Sequence, residues 1–251
     1  MPNTHHILGS GPHRVIVLHG WFGDSHSFAP MEGILTGGDF TYAFIDYRGY
    51  GGMKSVEGDY TIDEIAADSL ALADALGFSE FSLVGHSMGG MAIQRVLTRA
   101  PSRVKKLVAI APVPASGVPF DDQAWALFSG AADNPANRYD IIDFTTGSKL
   151  SPTWLKQMVA SSLEHSSRVA FAAYLTAWAK TDFSTEVKGM KQPLKVIVGE
   201  NDPALNAEVM KATFLQWYPN AELDVMRNAG HYPMHETPVA LATIIESFLQ
   251  R

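Results

Sequence analysis

Short apolar, β-branched runs alternate along this chain with stretches of helical spacing, and few folds can accommodate that rhythm. The runs are RVIVLHG from Arg14, TYAFIDYRG from Thr41, FSLVGHS from Phe81, VKKLVAIAP from Val104, PLKVIVGEND from Pro193 and AELDVMRNAGH from Ala221. Their apolar character is continuous rather than alternating, which marks strands covered on both faces, as in a parallel sheet. The clearest helix begins at Thr61, where Thr61 and Glu64 have capping-box spacing, and Ile65, Leu72 and Leu76 form a stripe that stops at Gly77. Further helices are expected from Ser87 to Arg99, from about Ala204 to Trp217 and from about Glu236 to Leu249. Strands alternating with helices specify a doubly wound, mostly parallel α/β sheet with right-handed crossovers.

Residues 113–186 break the rhythm: Trp125, Phe128, Phe144, Trp154, Phe171, Tyr174 and Trp178 fall at helical spacing with no convincing strand. They are expected to form a helical cap over a core made of residues 1–112 and 187–251, because both flanking strands end where α/β sheets bind ligands. At 251 residues, 46% of them hydrophobic, the chain can bury roughly 70–75% of its unfolded surface without a metal or disulfide staple. With 19 basic against 26 acidic residues and no run of like charge, neither nucleic acid nor an anionic membrane is an expected partner. The absence of cysteine excludes a thiol nucleophile, a disulfide framework and thiolate metal sites. No basic, apolar leader opens the chain and no window reaches a membrane span, so a cytoplasmic protein, monomeric or homodimeric and without metal or cofactor, is the expectation.

Within this frame GHSMG, Gly85 to Gly89, matches G-x-S-x-G between a strand pattern and a helix pattern. That context fits a nucleophile elbow, in which a sharp turn exposes Ser87 and only glycine fits on either side. An alcohol needs a base, and the base needs an orienting acid. Asp202, in a turn closed by Pro203, and His231, in RNAGHYP, follow later strand patterns and so share the sheet edge with Ser87. Glu200 and Asp224 are the rival acids, His235 the rival base, and His86 should diverge from Ser87 as packing or support. The oxyanion formed on attack would take one N–H from Met88, at the start of a helix, and one from the LHGWFGD loop, at Trp21 or Phe22. His5, His6, His13 and His165 carry no assignable chemistry.

VIVLHGWFGDSHSF, IDYRGYG, LVGHSMGG, VGEND and NAGHYPMHETP together resemble the α/β-hydrolase superfamily over essentially the whole chain, in a form similar to small microbial carboxylesterases of the pimeloyl-ester type. The resemblance implies Ser87 as nucleophile, His231 as base, Asp202 as its orienter and Trp21 with Met88 as oxyanion donors, acting without a cofactor on a small-molecule ester. Phe22, Trp125, Phe128, Trp154, Arg168, Trp178 and Tyr232 are the candidate substrate contacts. Only about thirteen residues precede the strand at Arg14, so one or both of the usual leading antiparallel strands are expected to be missing. Carbon–carbon bond hydrolases of the same superfamily hold a carboxylate with a cap arginine, for which Arg168 is the candidate. Perhydrolases and hydrolase-like ligand receptors share the same scaffold, and the fold alone does not choose among them.

Overall fold

A computed structural model describes residues 2–251. Its sheet has seven strands, β1 His5–Leu8, β2 His13–Leu18, β3 Phe40–Ile45, β4 Phe81–His86, β5 Val104–Ile110, β6 Leu194–Gly199 and β7 Ala221–Met226, in the spatial order β1-β3-β2-β4-β5-β6-β7. All neighbours are parallel except β1, which runs antiparallel on β3. One leading antiparallel strand is therefore present. HHIL gave little sequence signal because it is a four-residue edge strand, mixed in polarity and partly exposed.

Between the strands run α1 Ala29–Glu32, α2 Ile62–Ala75, α3 Met88–Arg99, α4 Asp122–Gly130, α5 Pro135–Thr145, α6 Pro152–His165, α7 Arg168–Lys180 and α8 Ser184–Val187. After β6 come α9 Ala207–Ala212 and α10 Phe214–Trp217, and after β7 come α11 Pro233–Glu236 and α12 Pro238–Gln250. Successive side chains of a strand point to opposite faces. On one face Val17, Phe44 and Val84 meet Phe28, Met31 and Ile245 of the α1 and α12 layer. On the other, a Cβ at Gly85 would touch Ile93 of α3. Covered on both sides, β3, β4 and β6 are buried at every position, which is why their sequences read as unbroken apolar runs.

Local signals act as their chemistry dictates, with three differences. The Thr61 hydroxyl caps α2 by accepting from Glu64 N–H at 3.0 Å, but the Glu64 carboxylate takes the N–H groups of Asp59 and Tyr60 instead of closing the box. The expected helix from Ala204 starts after Asn206, whose side chain caps it, and breaks at Thr213 into α9 and α10. The last helix is split at Thr237, because a residue preceding proline is pushed out of the helical region, and Pro238 then opens α12. The segment between β5 and β6 is helical apart from one bridge between Tyr50 and Ser166. It is tied internally by Arg138, buried over the Phe171 ring at 3.7 Å and donating to Ala131 O and Ser162 Oγ at 2.9 Å each. Among the described residues no helix is long and apolar enough to cross a membrane.

Replacing Thr61 by alanine removes the α2 cap and should cost about 1 kcal/mol, lowering the melting temperature by roughly 2–4 °C in a thermal scan.

Candidate active site

Three loops at the carboxyl ends of strands build the site. β4 ends at His86, and the chain turns into α3 through Ser87, whose backbone lies in the left-handed region at φ 55°. A non-glycine residue there is strained by about 1–3 kcal/mol and persists only where its surroundings enforce it. Enforcement comes from close backbone approach: a Cβ at Gly85 would lie 2.3 Å from Gly89 O, and one at Gly89 would lie 2.4 Å from Leu18 O. The turn is then fixed by hydrogen bonds from Ser87 N–H to Ile110 O (2.9 Å) and from Val113 N–H to Ser87 O (3.0 Å).

β6 leads to Asp202, only 1% exposed. Its Oδ1 accepts from Ala204 N–H (2.9 Å) and Leu205 N–H (3.1 Å), and its Oδ2 accepts from His231 Nδ1 at 2.7 Å. Because the carboxylate is the acceptor, Nδ1 carries the proton and Nε2 is left as the basic nitrogen. His231 follows β7 and faces the same cavity as Ser87. Its only ring hydrogen bond among the described residues is the one to Asp202. The rival acids lie elsewhere. Glu200 accepts from Asn228 N–H at 2.7 Å in an exposed turn, and Asp224 lies 3.3 Å from Lys195 Nζ along β7.

β2 ends in the loop His19–Gly23. A Cβ at Gly20 would sit 2.7 Å from His86 Nδ1 and 3.1 Å from Ser87 Cβ, so this loop lies directly against the Ser87 turn. Gly20 O is held by His19 Nδ1 (2.8 Å) and Gly23 N–H (3.2 Å). In a trans peptide this aims the Trp21 N–H the opposite way. Trp21 O accepts from the buried Tyr50 hydroxyl at 2.9 Å, and Trp21 Nε1 donates to Phe171 O at 2.7 Å. Met88 is the first residue of α3, where a helix leaves its N–H groups without intrahelical partners.

His86 is a support rather than a reactant. Its Nε2 donates to His231 O at 2.8 Å, and complete burial holds its ring far below the usual histidine range and therefore neutral. His235 also lines the cavity, and burial likewise pushes it down.

The cavity encloses about 750 Å3, open space at its mouth included, and its wall is overwhelmingly apolar. Of the seven residues named as substrate contacts, Phe22, Phe128, Trp178 and Tyr232 line it, as does Trp21. The other three do not. Trp125 stacks under Lys180 Nζ at 3.9 Å and beside Phe120, outside the cavity. Trp154 sits behind the wall with its ring 5.7 Å from both Tyr232 and His235. Arg168 is 66% exposed and forms a two-point pair with Asp133, because as the first residue of α7 it points to solvent. Sequence reasoning missed Val113, Val118, Phe120, Ile141, Met158 and Leu205. The first three directly follow β5, so the strand-end rule that found Ser87 would also have flagged them. Ile141 and Met158 had no signal beyond apolarity on a helix.

The model of the alpha/beta hydrolase family matches residues 15–244. A "putative esterase/lipase" of Haemophilus influenzae is 26% identical over 250 residues, covering 94% of this chain and 83% of its own length. A 2-hydroxymuconate semialdehyde hydrolase of Pseudomonas putida is 26% identical over 218 residues, covering 81% and 75%. Among solved structures, a hydrolase from Oleispira antarctica superposes with a TM-score of 0.89 at 18% identity, over 99% of this chain and 95% of that one.

Tyr50→Phe should leave the Trp21 carbonyl buried without its partner, at about 1–3 kcal/mol, and loosen the neighbouring peptide. The expected result is a lower melting temperature, read by thermal unfolding.

Proposed function

Since the chain belongs to the alpha/beta hydrolase family, a family of hydrolases, we propose that it is a serine hydrolase that cleaves neutral, apolar carboxylic esters through an acyl-enzyme. One observation carries this reading: Ser87, held in its left-handed turn, shares an apolar cavity with a histidine whose Nδ1 is locked by a buried aspartate. In this mechanism His231 Nε2 takes the hydroxyl proton as Ser87 Oγ attacks the ester carbonyl. The Ser87 to His231 hydrogen bond forms in the substrate complex, where such contacts tighten. Asp202 keeps the imidazole in the right tautomer and stabilises the imidazolium. The N–H groups of Trp21 and Met88 receive the developing oxyanion, and the positive end of α3 adds to that field. His231 returns the proton to the leaving alcohol, then activates the water that releases the acid. The helices between β5 and β6 act as a cap that supplies Phe128, Ile141, Met158 and Trp178 to the cavity wall. No metal or cofactor has a part in this mechanism.

The character of the wall supports a neutral substrate. Its residues include no lysine or arginine, so a substrate carboxylate would lose hydration there without gaining a cation. This weighs against the alternative of carbon–carbon bond hydrolysis, for which Arg168 was the expected anchor.

Ser87→Ala should lower turnover of p-nitrophenyl butyrate by about 10⁶-fold in a purified sample, and persistence of most of the activity would sink the assignment. Asp202→Asn should cost about 10⁴-fold with the fold intact, whereas the same loss in Glu200→Gln would move the acid to that residue. Matched esters with and without a terminal acyl carboxylate should differ in kcat/KM by at least about tenfold, the neutral one being preferred.

A further inference from the structure

One carboxylate beside the site has no task in the mechanism above. Glu236, the last residue of α11, is half-buried and reaches back along its own chain. Its Oε2 accepts from Gly230 N–H at 2.7 Å and its Oε1 from Tyr232 N–H at 2.9 Å, so its two oxygens grip the N–H groups of the residues on either side of His231. We infer that Glu236 is a positioning residue: its carboxylate clamps the backbone around His231 and sets the imidazole between Asp202 and Ser87.

The rest of the loop accounts for why two such bonds matter. His231 N–H donates to Thr145 O (3.1 Å), and His231 O accepts from His86 Nε2 (2.8 Å). Tyr232 O also accepts from His235 N–H (2.8 Å) and Glu236 N–H (3.0 Å), so the Glu236 carboxylate supplies two of the six hydrogen bonds that hold the backbone from Gly230 to Tyr232 among the described residues. Its charge is unusual for a turn brace. Burial raises the carboxyl, nearby Asp202 opposes its ionisation, and the favourable influences are the two N–H groups and His231. A neutral acceptor would close the turn without placing a second carboxylate near Asp202. The charge gains a purpose when His231 becomes an imidazolium during attack. The ionisable groups around His231 are Asp202 from the turn after β6, His86 from β4, and Tyr232, His235 and Glu236 from its own loop and α11. Burial keeps His86 and His235 toward neutrality and Tyr232 protonated, which leaves Asp202 and Glu236 as the charges that face the ring.

The inference rests on the reading of His231 as the base, so its test includes an arm that needs no substrate. In the full chain, Glu236→Gln keeps the side chain's size but loses the charge and one acceptor. It should lower kcat for p-nitrophenyl butyrate about 10- to 100-fold while KM stays within about twofold, as expected when a reacting group is displaced by a fraction of an ångström to an ångström. With the nearby negative charge gone, the acid limb of kcat/KM should move to lower pH by about half a unit or more. By nitrogen NMR without substrate, the His231 ring should release its proton at correspondingly lower pH. Glu236→Asp, which keeps the charge, should leave the acid limb in place and recover part of the lost kcat. Unchanged kcat and ring titration in Glu236→Gln would overturn the inference, as would a fall in kcat with acid limb and ring titration unmoved. Should Glu236→Gln fail to fold, Glu236→Asp decides: a reduced kcat at an unmoved acid limb is expected, and parental kcat overturns. If Ser87→Ala retains activity, the hydrolase reading fails, while the NMR arm still judges the hold of Glu236 on His231.

Discussion

The arrangement depends on one constraint, the absence of room for a Cβ at Gly85 and Gly89. The first glycine lets α3 fold back against β4, and the second lets that helix approach the end of β2. Together they force Ser87 into a backbone conformation that a free chain avoids. The strain is local, but β4 is buried at every position and the carboxyl halves of β2 and β5 beside it are buried too, which gives it nowhere to relax. The same crowding puts the start of α3 beside the loop after β2, where Gly20 comes up against Ser87, as a result of packing rather than of a separate device.

Around that fixed point the site is held mainly by backbone carbonyls and amides. Tyr47 and Tyr50 donate to His19 O and Trp21 O at 2.9 Å each, His86 donates to His231 O, and Asp202 accepts from two amides of its own turn. Such supports fix where a loop sits while leaving the cavity wall free to be apolar. Ser87, Asp202 and His231 come from strand ends, and the apolar wall combines residues of the loops after those strands, such as Trp21, Val113 and Leu205, with Phe128, Ile141, Met158 and Trp178 from the helices between β5 and β6.

The fold and the triad candidates were legible because both leave periodic or positional traces. Unbroken apolar runs marked strands buried on both sides, and reactive residues immediately after such runs had to share one edge of the sheet. Less was legible where the deciding contact spans the sequence. Arg168 was a reasonable carboxylate anchor until the start of α7 turned it to solvent beside Asp133. Trp125 and Trp154 were distinguishable from Trp178 only by which face of their helices meets the cavity, and no local pattern encodes that. β1 escaped notice because an edge strand of four residues has neither length nor apolar continuity. The Glu64 carboxylate satisfied the spacing of a capping box but was drawn to two other amides in the preceding loop.

The contact between His231 N–H and Thr145 O joins the histidine loop to the last turn of α5, a helix that also lines the cavity through Ile141. Packing strengthens that joint, since Gly230 sits against Thr146 and Gly147 against Asn201, the neighbour of Asp202. The acid turn, the histidine loop and the end of α5 therefore form one mechanical unit. A substrate that enters by lifting α5 would unmake the geometry that is to act on it. The helical segment between β5 and β6 is thus anchored through α5 to the two turns that hold Asp202 and His231.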